Sequence, residues 1–296
     1  MSDAFDRSNH VVEQQLKKRL EKLEDVTGND VLVFKGPIHF GVDELIRDSV
    51  EVIEDRKHRL TVVLETTGGY IEVAQRIVDV LRKHYGYVEF IVPNYAMSAG
   101  TVLVMSGDAI HMDYFSVLGP IDPQVERSVG SGNEKFVPAL GYLEWYSRLL
   151  KKSKEDELTD AELSFLLEKF DPAEMYQFEQ ERELSITLLK EWLAAYKFKD
   201  WNVTETSQSD VTQQMREERA MEIASKLNDT GMWHSHGRGI SMEVLRRVLK
   251  LKIEDFGENE ELRKSIRSYY KLLRDFINVL NLPFVIHTSD KFVPAS

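Results

Sequence analysis

The chain has 296 residues, 42% of them hydrophobic and 30% charged, with a formal charge of −12 at pH 7. That length can bury a sizeable core in one large domain or two small ones, and an acidic surface of this size repels phosphate backbones, which excludes nucleic-acid binding as the main task. With no cysteine there is no disulfide, no thiolate chemistry and no thiolate-bound zinc, a composition that fits a reducing cytoplasm, the expected location.

The N-terminal stretch is polar and charged and lacks the apolar core of a signal peptide. The longest mostly apolar runs, residues 87–93 and 99–105, fall far short of the roughly 18–20 residues that span a bilayer, so no membrane span is expected. Val11, Leu16, Leu20 and Leu23 stand near helical spacing among charges and predict an amphipathic helix. Thr27-Gly28-Asn29 ends it, and Val31-Leu32-Val33-Phe34 reads as a strand. The chain then alternates. Helices are expected at 42–54, 71–84 and 97–106, and strands at 60–64, 87–92 and 109–112. Near-continuous apolar strands alternating with helices predict a mainly parallel sheet covered by helices.

From residue 137 the pattern changes to long helices. Thr159-Asp160-Ala161-Glu162 is a capping box, and Asp171-Pro172-Ala173-Glu174 has the same form with proline at the first helical position. The second opens a helix reaching about residue 197, and further helices are expected at 211–227, 242–249 and 261–279. The division is an N-terminal helix at 1–27, an α/β core at 28–136 and a helical extension at 137–296.

Chemistry concentrates between Thr66 and Pro123. The strand at 60–64 leads into Thr66-Thr67-Gly68-Gly69 and a helix. Two glycines there let the backbone turn sharply and leave N–H groups open beside a helix N-terminus, which suits either a developing oxyanion or a plain βα turn. The next strand ends at Pro93, and Ala96-Met97-Ser98-Ala99-Gly100 leads into an apolar helix. A serine among small residues at such a turn resembles a nucleophile elbow, although serine also caps helices.

The two units in this order, followed by Ser106-Gly107-Asp108 and Gly119-Pro120-Ile121-Asp122-Pro123, resemble the peptidase branch of the Clp protease/crotonase superfamily. Within that branch the chain is similar to the serine dehydrogenase proteinases, and the likeness extends softly into residues 196–201 and 233–240. The resemblance implies an α/β fold of the Clp protease/crotonase type and serine-type hydrolysis of a peptide or protein substrate. It implies Ser98 as nucleophile, with the backbone N–H groups of Gly68, Gly69 and Ala99 as the oxyanion hole. It further implies no cofactor or metal, and a homo-oligomer.

In Clp protease subunits the base is a histidine on the strand after the nucleophile helix. The matching place here falls near Ile121 or Asp122, and no histidine is present. The alternative resembles the Ser–Lys dyads of signal peptide peptidase A and the stomatin-operon proteases, in which Lys135, ahead of the helix starting near residue 137, is the expected base. Lys190, Lys151 and His111 stand as alternatives. His234 and His236 read as a structural or substrate-contacting turn rather than a metal site. No Walker motif is present, so energy-driven unfolding would need a separate partner. Two rival readings are a crotonase-type acyl-CoA enzyme, with glutamates in the pocket, and a catalytically inactive scaffold or adaptor.

Overall fold

A computed structural model describes residues 2–121, 124–129, 133–155, 158–204, 208–233, 235 and 237–294. The first half runs α1 (Ser2–Thr27), β1 (Asp30–Lys35), α2 (Val42–Glu51), β2 (Arg59–Glu65), α3 (Ile71–His84), β3 (Tyr87–Ile91), β4 (Tyr95–Ala96), α4 (Ala99–Met105), β5 (Ala109–Met112) and β6 (Val117–Leu118). A hairpin of β7 (Gln124–Val129) and β8 (Asn133–Pro138) follows, then α5 (Ala139–Glu155), α6 (Asp160–Lys169) and α7 (Pro172–Trp192), which runs into a π-helical turn, Leu193–Lys197. The remainder is α8 (Gln213–Leu227), α9 (Thr230–Trp233), β9 (Ile240–Ser241), α10 (Met242–Val248), β10 (Glu254–Asp255), α11 (Glu260–Leu280), β11 (Val285–His287) and β12 (Phe292–Pro294).

Among the described residues the main sheet has seven strands in the order β10-β5-β3-β2-β1-β11-β12. β10, β5, β3, β2 and β1 are parallel, whereas β11 runs antiparallel to β1. Side chains alternate across a strand, so each apolar strand feeds two cores. Leu32, Phe34, Val62, Leu64, Val88 and Phe90 enter the larger core with α3, α4, α7 and α8. Val31, Val33, Val63 and Ile91 face the opposite way, onto Leu16, Leu20 and Leu23 of α1 and Ile266, Tyr269 and Leu273 of α11. Both sheet faces are therefore covered, which is why these strands read as near-continuous apolar runs.

The expected α/β body is present, with its helix starts marked as the sequence indicates. Thr159 and Glu162 form the reciprocal capping box. Asp171 caps α7 by accepting from the N–H of Ala173 at 2.7 Å, two residues on rather than three.

Two expectations change. Residues 137–296 are not purely helical: β10, β11 and β12 complete the main sheet, and β9 joins β6. These strands are two or three residues long, too short to show a period. Val129 and residues 133–136, in a glycine- and serine-rich stretch whose composition favours a loop, instead belong to the β7–β8 hairpin, in which Arg127 stands opposite Lys135.

Candidate active site

The loops after β2 and β3 meet at the C-terminal end of the parallel strands, where open α/β sheets place their ligand sites. Thr66 bridges Ala96, its N–H donating to the Tyr95 carbonyl at 3.2 Å and its own carbonyl accepting from Met97 N–H at 3.0 Å. Gly68 follows at φ 93°. A Cβ there would lie 2.6 Å from the Met97 carbonyl oxygen and 2.9 Å from Ser98 Cβ, so only glycine lets the two loops touch. Gly100 is needed for closeness as well, since a Cβ on it would stand 2.3 Å from Thr66 Cγ2.

Ser98 occupies φ 51°, ψ −121°, a backbone region that L-residues rarely adopt. Although it precedes α4, its side chain makes no capping hydrogen bond. The plain-cap reading therefore does not describe it. The turn is held on its far side by Thr101, whose buried hydroxyl contacts both the Ala96 and Gly119 carbonyls at 2.9 Å. Strain of this kind costs about 1–3 kcal/mol and persists only where the surroundings over-determine it.

Of the three N–H groups expected at the oxyanion site, Gly68 N–H is engaged by Thr66 Oγ1 at 3.0 Å. Gly69 and Ala99 donate to no acceptor among the described residues. The structure thus leaves two open donors flanking Ser98, and gives Gly68 the task of close approach.

Ser98, Ala99, Gly68 and Gly69 line one cleft of about 490 Å³, together with Pro37, His39, Tyr70, Glu72 and Ile121. Its roof is α7, through Glu174, Gln177, Phe178, Glu181 and Ser185. Burial pushes the Glu181 carboxyl above its ordinary value against a 3.0 Å hydrogen bond from Gln177 Nε2, and the Glu72 charge adds to the rise. The sequence reading missed this roof and His39. The place of His39 just after β1, at the ligand-binding end of a parallel strand, was the available signal.

The candidate bases separate. Lys190 pairs with Glu217 at 3.4 Å and Lys151 with Glu155 at 3.9 Å, and neither lines the cleft. His111 lies on β5, also away from the cleft, with Nε2 3.4 Å from Glu89 Oε2 and no hydrogen bond to it. Lys135 falls on β8, but its side chain lies outside the described residues, as do His234 and His236. Among the described residues no group of three His, Asp or Glu side chains is placed to hold a metal ion.

The two softer motifs turn out to brace the fold. Arg82 stacks on the Tyr196 ring at 3.7 Å and pairs with Asp108 at 2.7 Å, and Lys199 binds the same carboxylate, so the π turn is fastened to the sheet edge. Burial lowers Lys197 to about 8. In the other motif Ile240 pairs with Leu118, supporting the strand that runs past Met97 towards Ile121.

Residues 36–137, the segment carrying both loops, match the family model of the ClpP-like SDH-type serine proteinases. Two uncharacterized proteins of Methanocaldococcus jannaschii are also similar. One is 32% identical over 126 residues, covering 40% of this chain and 39% of the relative. The other is 36% identical over 85 residues, covering 27% and 30%. The chain thus spans well under half the length of either. Among solved structures, a 1510-N membrane-bound stomatin-specific protease aligns over 79% of this chain and 84% of its own, at 14% identity and a TM-score of 0.45. No helix among the described residues is long and apolar enough to cross a membrane.

Proposed function

We propose that this chain is a serine peptidase in which Ser98 attacks a peptide carbonyl bound in the cleft beneath α7. The observation that carries the reading is the strained Ser98, free of any capping bond, beside two N–H donors open among the described residues, within the segment that matches the ClpP-like SDH-type serine proteinase model. Ser98 Oγ bonds to the carbonyl carbon as its proton passes to the base. The carbonyl electrons move to oxygen, which accepts from the Gly69 and Ala99 N–H groups. The C–N bond then breaks, the base returns the proton to the leaving amine, and water releases the acyl group from Ser98.

Lys135 is the proposed base. β7 begins three residues after Ile121, which lines the cleft, so the hairpin that carries Lys135 is rooted at the site. His39 is the alternative, because it is among the residues that line the cleft itself. We place the enzyme in the cytoplasm and expect a homo-oligomer. Exposed Trp145, Phe165, Leu167 and Tyr176 on α5, α6 and α7 provide apolar surface for such assembly.

One observation favours the crotonase-type reading: Glu72, Glu174 and Glu181 line the same cleft. A fluorophosphonate probe separates the two, because it reacts with an activated serine hydroxyl. Labelling should map to Ser98 and vanish, along with peptide hydrolysis, in Ser98→Ala. Hydrolysis that survives in that variant would overturn the peptidase reading.

A further inference from the structure

Glu65 is the last residue of β2 and is only 5% exposed, yet it carries a carboxylate. Lys35, at the end of β1, donates to one of its oxygens, and the Tyr270 hydroxyl of α11 donates to the other. Tyr95 lies near the same carboxylate. Burial and the Glu65 charge hold its phenol above the ordinary value. Asn94 Nδ2 in turn donates to the Tyr270 hydroxyl at 3.1 Å, and the Lys35 ammonium sits 5.5 Å from the Tyr270 ring centroid. Asn94 and Tyr95 begin the segment that turns at Ser98. Thr66, the neighbour of Glu65, carries the two backbone bonds to Tyr95 and Met97.

The root of the nucleophile turn is therefore tied through one buried carboxylate to a helix lying outside the matched family segment, 176 residues away along the chain. We propose that Tyr270, acting through Glu65 and Asn94, is a positioning residue that holds the Ser98 turn in its strained geometry. A buried carboxylate held by a donor on each oxygen has one low-energy arrangement, and the low-dielectric surroundings strengthen each bond. Removing the Tyr270 hydroxyl leaves Asn94 Nδ2 without its acceptor and lets the Asn94–Tyr95 root shift. A misplacement of about 1 Å in a reacting group costs on the order of 100-fold in rate.

This proposal rests on the peptidase reading for its kinetic consequence but not for its structural one, so two readouts are needed. Tyr270→Phe, which deletes a single oxygen, is compared with Tyr269→Phe. That neighbour deletes a buried hydroxyl on the same helix, one whose hydrogen bond goes to His287 at 2.7 Å rather than to the Glu65 and Asn94 cluster. In Tyr270→Phe the rate of Ser98 labelling by the fluorophosphonate should fall about 10- to 100-fold. Amide exchange across residues 94–101 should also quicken, while Tyr269→Phe loses stability with labelling and exchange there unchanged.

Wild-type exchange at 94–101 in Tyr270→Phe would overturn the proposal. So would a labelling rate in Tyr270→Phe no lower than in Tyr269→Phe. If the wild-type protein takes no label, the peptidase reading fails instead, and the exchange comparison alone decides whether α11 clamps the turn.

Discussion

Replacing Ser98 with glycine should make the protein more stable while making it inert. At φ 51°, ψ −121° the residue holds a conformation whose cost for an L-side chain is about 1–3 kcal/mol. Glycine removes that cost but adds about 0.5–1 kcal/mol of chain entropy in the unfolded state. Among the described residues the hydroxyl makes no capping hydrogen bond that either variant would lose. Ser98→Ala keeps the Cβ and the strain, and so should match the wild-type protein within about 0.5 kcal/mol. The net expectation is that Ser98→Gly exceeds Ser98→Ala by about 1 kcal/mol, equivalent to roughly 2 °C in melting temperature. Urea unfolding of both variants at neutral pH measures the difference, provided the slopes agree. Equal stability, or a glycine variant that is weaker, would show that the turn carries no strain and would remove the argument that its geometry is maintained for function.

Two further predictions concern ionisable groups. Burial holds the His287 imidazole down at about 3, against an ordinary value of 6.5. The unfolded chain therefore binds the proton first, and this contribution to stability is complete above pH 6.5 and lost progressively as pH falls towards 3. At pH 5 the loss is about 2 kcal/mol. His287→Asn, which can still accept from Tyr269, should flatten stability against pH over that window, and an unchanged slope would contradict the assignment. Lys135→Ala should slow Ser98 labelling by about 100-fold or more if the lysine is the base, whereas Lys190→Ala should leave it unchanged. Loss of labelling in His39→Ala with Lys135→Ala active would transfer the role to His39.

The nucleophile and its glycine-rich partner loop were legible because their chemistry is local. A Gly-Gly turn and a serine among small residues constrain the backbone within a few positions, and the structure uses each glycine for close approach. The parallel strands were equally plain, since burial on both faces writes itself as an apolar run. What the sequence concealed depends on distant contacts. The cleft roof comes from α7, whose capped start was readable but whose Glu174–Ser185 face gives no sign of what it covers. β10, β11 and β12 have two or three residues each and no pattern to read. The 124–138 hairpin hid behind glycine and serine, which favour turns, although the flanking strands pair in register. Gly68 shows the limit most clearly: its motif position suggested an oxyanion donor, while a neighbouring hydroxyl, Thr66 Oγ1, already takes its N–H.

The seating of β11 against β1, and of α1 against α11, carries a consequence for how the molecule is made. Arg19 reaches the Ser268 carbonyl across 249 residues, and Val33 waits for His287 before its strand has a neighbour on that side. While the chain is still emerging from the ribosome, the nascent sheet has an open β1 edge and a bare apolar face where α11 will lie. Exposed edges of that kind recruit other chains. Contacts so remote along the sequence also form slowly. The interval before α11 docks is thus when this protein is most exposed to aggregation. Mutations in Ile266, Tyr269 or Leu273 should show first as lower soluble yield rather than as altered chemistry.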